Sequence, residues 1–503
     1  MGSIVIDDIV PTSFEVLDDA RPNDTSLPAF MVSKTRGFLP RANPVVELPE
    51  AFAALESILT RMPVKRLDGT PGLLAEGKLG DAILVSKELP DLTDAIDTVR
   101  HDLPMLNALY RDYSFLASAF LLEPCHMRFI RGEEYGLGRD VLPACIARPI
   151  ARCARLCGFK PFMEYAGSYA LFNYRLQDPK AGLTYDNLRL IRAFEHGLDP
   201  TSSEAGFVLV HVDMVRNSGP LVAGTCACLD TAEASKDGGK GADRELFNAG
   251  LTQVLTSLQR INAVMETMWG KSRPEQYTSF RTFIFGITSQ SMFPDGVAYE
   301  GVDENGVELD ADAPASTTRL SFRGESGAND SMIPLMDNFL EIPMPDTPLT
   351  QILKDFRQYR PSNHRQFLAY VRAKSAALHL KDFALQGSTQ TADATAVSNQ
   401  SIQLWLQVLN QVRDFRWRHW CFGKEYILKR TAHPTATGGS PIVTWLPNQL
   451  QAVLREMQAI YTHATATEGR KLGAEVDDMM DMVVRQSATL AKEVARYCEE
   501  RGV

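Results

Sequence analysis

The chain has no basic tract: 52 Lys and Arg stand against 62 Asp and Glu, for a formal net charge of −10. Nucleic acid and anionic membrane surfaces therefore find no electrostatic footprint on it. No apolar run comes near the roughly 18–20 residues of a membrane span. The opening MGSIVIDDIVPTSFEV has neither the basic start nor the apolar core of a secretory signal. Eight cysteines in 503 residues make no disulfide framework, and neither Cys153/Cys157 nor Cys226/Cys228 has C-x-x-C spacing. A reducing cytoplasm is the expected compartment. Strand signals are sparse and no repeat of solenoid period is present. The glycine-rich segment Lys236-Asp237-Gly238-Gly239-Lys240-Gly241 lacks the preceding strand and the Gly-Lys-Ser/Thr of a phosphate cradle, and reads as a mobile loop.

What remains is helix. With 45% hydrophobic residues the chain can bury a large core, and the expected class is all-α. Residues 1–40 read as an extended arm ending in Thr35-Arg36-Gly37-Phe38-Leu39-Pro40. Helical spacing follows at Phe52, Leu55, Ile58 and Leu59, then at Leu92, Ile96, Val99 and Leu103. Thr184-Tyr185-Asp186-Asn187 is expected to cap a following helix. Residues 197–206 read as a loop, 293–331 as irregular and 383–397 as a flexible excursion. The tail repeats apolar residues at Val476, Met480, Val483, Leu490, Val494 and Cys498, an amphipathic helix packed on the body.

One face of one helix carries the most information. Trp405, Val408, Val412, Phe415, His419, Phe422 and Tyr426 are spaced 3, 4, 3, 4, 3, 4, a stripe on a helix from about residue 401 to 431. An imidazole on such a stripe needs a partner, since an unpaired buried polar group costs about 1–3 kcal/mol. A backbone carbonyl is one candidate. Haem iron, which takes a neutral imidazole nitrogen as axial ligand, is the other.

Nearby segments fit either reading. Thr435-Ala436-Thr437-Gly438-Gly439-Ser440 is a helix terminator or a loop that closes on a ligand. Small residues in Phe322-Arg323-Gly324-Glu325-Ser326-Gly327-Ala328 let a backbone lie flat against a planar ligand, and lead into a helix bearing Asp337. Arg416, on the same side of its helix as His419, can pair with that acid to hold the ligand helix; an ordinary surface ion pair under ~1 kcal/mol is the alternative.

Arg416-Trp-Arg-His419-Trp, Lys424-Glu-Tyr-Ile-Leu and His433-Pro-Thr-Ala-Thr-Gly-Gly-Ser-Pro closely resemble the fungal indoleamine 2,3-dioxygenases. So do Arg36-Gly-Phe-Leu-Pro, Leu183-Thr-Tyr-Asp-Asn, Tyr299-Glu-Gly-Val, Phe322-Arg-Gly-Glu-Ser-Gly-Ala and Pro361-Ser-Asn-His364, in family order from about residue 36 to 450. The resemblance implies an all-helical enzyme containing haem b, with the arm, a small N-terminal domain (41–150), a large haem-binding domain (151–463) and a C-terminal helix (464–503). His419 falls on the proximal iron ligand, Arg416 and Asp337 on its supporting ion pair. Arg281 falls on the partner of the substrate carboxylate, and Ser326, Gly327 and Ala328 on the backbone over the haem. Thr437 and Gly438 fall on the loop that closes on the substrate ammonium. His211 falls on a distal-pocket position, where it orients an indole N–H or is a plain core histidine. Phe207, Tyr277 and the aromatic run near Tyr169 supply apolar walls.

The implied reaction is O2 addition across the C2–C3 bond of L-tryptophan to give N-formylkynurenine, in a monomer whose partners are O2 and a small indole. Departures cluster around Arg281: Phe285, Ile287 and Thr288 replace the family's Ser, Trp and Lys, and Arg148 stands where an apolar residue is usual. They motivate a second reading, a relative acting on another indole compound. A third is a haem protein with little turnover.

Overall fold

The structure, a computed structural model, describes residues 10–236, 243–310, 318–344, 348–386, 391–431, 433 and 435–501. The start of the arm and the glycine-rich segment after Lys236 lie outside the described residues. Helix makes up 60% of the fold and strand 5%, so the all-α expectation holds.

The longest stretch of buried helix is α1 (Leu103–Phe129), started by Asp102, whose carboxylate accepts from the Met105 N–H at 3.0 Å. Its residues are buried on every side, as a helix apolar all round requires. Polar residues on α1 are paired. Asp112 accepts from Arg111 Nε at 2.7 Å and from Arg192 Nε and Nη2 at 2.9 and 2.8 Å, with all three side chains buried. Burial would raise the Asp112 carboxyl, but the two guanidinium groups hold it at about 2. Asp112→Ala leaves two buried cations short of their shared acceptor, and should cost about 3–5 kcal/mol. An urea midpoint that falls at constant m-value measures it; a loss under about 1 kcal/mol would mean that Glu56, the other acceptor of Arg192, suffices.

The helices that build the rest of the argument are α2 (Ser203–Val215), α3 (Ser218–Lys236), α4 (Arg244–Glu266), α5 (Pro274–Arg281), α6 (Met332–Phe339), α7 (Ser362–Leu378), α8 (Ala392–Phe422), α9 (Ile442–Thr462) and α10 (Ala474–Arg501). α8 packs between α4 and α9, and α10 covers α9, with Val476, Met480, Val483 and Leu490 buried as the tail's spacing requires. The arm is not loose: Phe30, Val32, Phe38 and Leu39 are buried, and its backbone is bonded to Ser218 and Asn363. Gly37, at φ +58°, sits so close to the first turn of α3 that a Cβ would meet Ser218 Oγ at 2.0 Å. The expected division at residue 150 falls inside the helix Ala144–Cys157.

Three local expectations fail. No helix follows Thr184: Tyr185–Asn187 is one 3-10 turn, and Leu188–Leu190 then pairs antiparallel with Tyr174–Leu176. The Asn187 side chain is spent on Asp178 and Gly182, which closes a hairpin instead of capping. The 197–206 loop ends early, because Ser202 caps α2 through the Ala205 N–H. In 383–397, Leu380–Leu385 is helical and α8 already begins at Ala392, capped by Thr391. Asn248 of α4 donates to the Val397 carbonyl and so ties that first turn down; residues 387–390 lie outside the described residues. Among the described residues no helix is long and apolar enough to cross a membrane, and all eight cysteines are free thiols.

Candidate active site

The α8 stripe divides in two. Trp405, Val408 and Val412 are fully buried in the core, whereas Phe415, His419 and Phe422 are half-buried because they face internal space. α8 then runs into a π-helical turn, Gly423–Leu428, an irregularity that often marks functional sites. Two cavities meet at His419. The larger, of about 500 Å³, is bounded by α6, α7 and α8; the smaller, of about 150 Å³, by α2, α5, α8 and the 325–332 and 436–446 segments. Gly327, Asp330, Phe415, His419 and Trp445 line both.

Among the described residues neither His419 nitrogen has a hydrogen-bond partner. Burial, with His211 and Arg416 adding repulsion, lowers its pKa to about 4, so the ring is neutral at pH 7. Three residues back, Arg416 Nη2 donates to both Asp337 oxygens, at 2.8 and 2.7 Å. Both partners are largely buried, with side chains 5% and 17% exposed. The pair joins α8 to α6 and is no surface contact. Burial, opposed by Arg416, raises the Asp337 pKa.

His211, on α2, opens on the smaller cavity only. Its Nδ1 lies 2.8 Å from the Phe207 carbonyl, one turn back. A carbonyl can only accept, so Nδ1 carries the proton and Nε2 presents a lone pair. Burial lowers this pKa as well. A Cβ added at Gly327 would lie 3.5 Å from that Nε2, which marks how closely the 326–328 backbone approaches the ring. Ser326 and Gly327 line the smaller cavity, whereas Ala328 lines the larger. Phe207 and Tyr277 are on the smaller cavity's wall, but the contribution of the aromatic run is Tyr165 and not Tyr169. Tyr169 is stacked in the core between Phe115 and Phe194.

Arg281 ends α5 fully buried, just outside the cavity lining and in electrostatic reach of the Tyr277 phenol. Its Nη2 donates to the Thr435 carbonyl at 2.8 Å and its guanidinium lies 4.6 Å from the Phe285 ring centre. Nε and Nη1 are buried without a partner. Phe285, one of the departures from the family pattern, thus covers this cation directly. Arg148 is elsewhere, bonded to Asp91.

The 435–440 segment is pinned shut. Thr437 Oγ1 donates to the Glu325 carbonyl at 2.7 Å, the Gly286 N–H to the Thr437 carbonyl at 3.0 Å, and Arg323 Nη1 to the Gly438 carbonyl at 2.9 Å. Gly438 itself stays behind the wall, and a Cβ there would meet the Phe356 ring at 2.6 Å.

Sequence reasoning missed several wall residues. Arg357, Arg360, Arg365 and Arg372 border the larger cavity. Arg360 also donates to the Ala328 and Asp330 carbonyls, which fixes the flat segment. Arg365 and Arg372 lie two turns apart on α7, whereas Arg357 and Arg360 precede it, so no single periodicity marks the four. Glu325 falls within the Phe322–Ala328 segment and Asp330 just beyond it, and no local pattern marks their burial.

The indoleamine 2,3-dioxygenase family model matches residues 26–473. Indoleamine 2,3-dioxygenase 1 of Mus musculus is 25% identical over 77% of this chain and 81% of its own. A 6-hydroxytryptophan 2,3-dioxygenase of Fusarium equiseti is 25% identical over 71% of this chain and 76% of its own. A protein named myoglobin from Haliotis diversicolor is 27% identical over 69% and 77%.

Proposed function

Because the chain belongs to the indoleamine 2,3-dioxygenase family, and is thus a haem-iron dioxygenase using O2 and an indole, we propose that its substrate is L-tryptophan and its product N-formylkynurenine. The observation that carries this reading is Arg281, a buried guanidinium with two unpartnered nitrogens beside an apolar cavity. Such a cation calls for an anion from outside, and the carboxylate of an amino acid fits it in a forked geometry.

The residues fit haem. His419 offers a neutral nitrogen without a competing bond, and the larger cavity combines apolar walls (Ile333, Leu368, Phe415, Trp445) with four arginines suited to two carboxylates. Among the described residues no cluster of three His, Cys, Asp or Glu could hold a bare metal ion, so a single histidine suits an iron whose other ligands come from a porphyrin. In this reading His419 would hold the iron through its unpaired nitrogen, and Arg416 with Asp337 fixes α8 against α6 behind it. Haem bound there supplies the activation of O2. The protein does the rest by orientation and by keeping water out. His211 Nε2 accepts the indole N–H, Phe207 and Tyr165 flank the ring, and Arg281 holds the carboxylate. Ser326 to Ala328 supply a flat floor. Thr437, bonded to the Glu325 carbonyl, and Gly438 close the pocket.

The test is turnover. The purified, reduced protein supplied with L-tryptophan in air should accumulate N-formylkynurenine, read by its absorbance, and should prefer tryptophan to 6-hydroxytryptophan. Preference for the hydroxylated ring would give the protein the specificity of its Fusarium relative. A haem-loaded protein that makes no product from either would exclude the reading.

A further inference from the structure

Glu325 is the least explained group on the smaller cavity's wall. It is 2% exposed, and no hydrogen bond or ion pair engages its carboxyl among the described residues. Cations close in sequence or space are already committed. Arg323 is bonded to Asp355 and to the Gly438 carbonyl, and Arg360 to the carbonyls of Ala328 and Asp330. The other buried acid in reach, Glu164, is of like charge and accepts from the N–H groups of Ala166 and Gly167. The backbone that carries it is tied in place, because Thr437 Oγ1 donates to the Glu325 carbonyl. A buried carboxyl without a donor is costly.

Arg281 is the complementary anomaly. Both groups act electrostatically on the Tyr277 phenol, Arg281 lowering its pKa and Glu325 raising it, and no ion pair joins them to each other. Tyr277 and Glu325 line the smaller cavity together and Arg281 follows Tyr277 by one turn of α5, so a cation with two unpaired nitrogens and an acid without a donor share the neighbourhood of one tyrosine. We propose that the Glu325 carboxylate receives the α-ammonium group of the substrate, so that the pocket selects indoles carrying a free amine as well as a carboxylate. This rests on the tryptophan reading above and assigns its amine a side-chain partner. Burial, with Glu164 adding to it, pushes the Glu325 carboxyl up to about 8, so it stays neutral until a cation arrives.

The assignment is tested by calorimetric binding to the haem-loaded protein of L-tryptophan and of indole-3-propionate, which keeps the ring and carboxylate and lacks the amine. Wild type should hold tryptophan the tighter. Glu325→Gln and Glu325→Ala should weaken tryptophan by about tenfold to a hundredfold, the size of one charged hydrogen bond, and leave indole-3-propionate within about twofold. That second ligand also reports whether each variant is folded. Variants that lose both ligands equally, or neither, overturn the assignment. So does a wild type that binds both indoles equally. A wild type that binds neither indole overturns the tryptophan reading and this assignment together.

Discussion

Replacing His419 with alanine should empty the protein of haem. The variant, prepared beside wild type, is expected to carry less than about a tenth of its haem by Soret absorbance, with an unchanged far-ultraviolet dichroism spectrum. Added imidazole should restore part of the band, because the truncation leaves a hole of that shape. The argument is one of competition between two rings. His211 has the N–H to carbonyl bond that metal-bound histidines commonly use to fix their orientation, and His419 has none among the described residues. On that criterion alone His211 would be the ligand. Space decides otherwise: the cavity with the arginines opens on His419, and His211 faces only the smaller one. Haem held by His419 in the larger cavity would leave His211 to the smaller one, where a second, smaller molecule fits. His211→Ala should therefore keep its haem and lose rate. If His211→Ala loses haem and His419→Ala retains it, the two roles are exchanged.

What the sequence reveals about this site follows from periodicity, and what it hides follows from distance along the chain. The α8 stripe was legible because 3.6-residue geometry puts His419 among Phe415 and Phe422 whatever the rest of the fold does. The Arg416–Asp337 pair was legible as a possibility, since Arg416 is on the right side of α8, but its partner is 79 residues away and only the packing of α6 on α8 brings it within 2.8 Å. Local capping rules failed at Asn187 because its amide makes three bonds to the backbone of Asp178 and Gly182 across the hairpin. Burial of a charge has no local signature at all. Glu325 stands between Gly324 and Ser326 and Arg360 between Tyr359 and Pro361, neighbours that mark no burial, which comes from α7, the 437 segment and the 165 turn converging on them.

Arg281→Met should move stability and affinity in opposite directions. Fully buried, the guanidinium makes one bond to a carbonyl and leaves two nitrogens unpaired, so the folded protein carries a desolvated cation without its counter-charge. Methionine fills similar volume beside Phe285 and Tyr277 and removes that cost, at the price of one lost bond to Thr435 worth about 1 kcal/mol. The ligand-free variant is therefore expected to melt at the same temperature as wild type or slightly above it. Binding behaves the other way. A forked pair of charged hydrogen bonds to a carboxylate is worth about 3–6 kcal/mol at about 1.5–3 each, so kcat/KM for tryptophan should fall by about 10²- to 10⁴-fold. Arg281→Lys keeps the charge and loses the fork, and should fall between. A structural arginine gives the opposite pattern, since removing it destabilises the fold and affinity follows only indirectly. A melting temperature more than about 5 °C lower, with tryptophan affinity kept within threefold, would move Arg281 from the substrate to the scaffold.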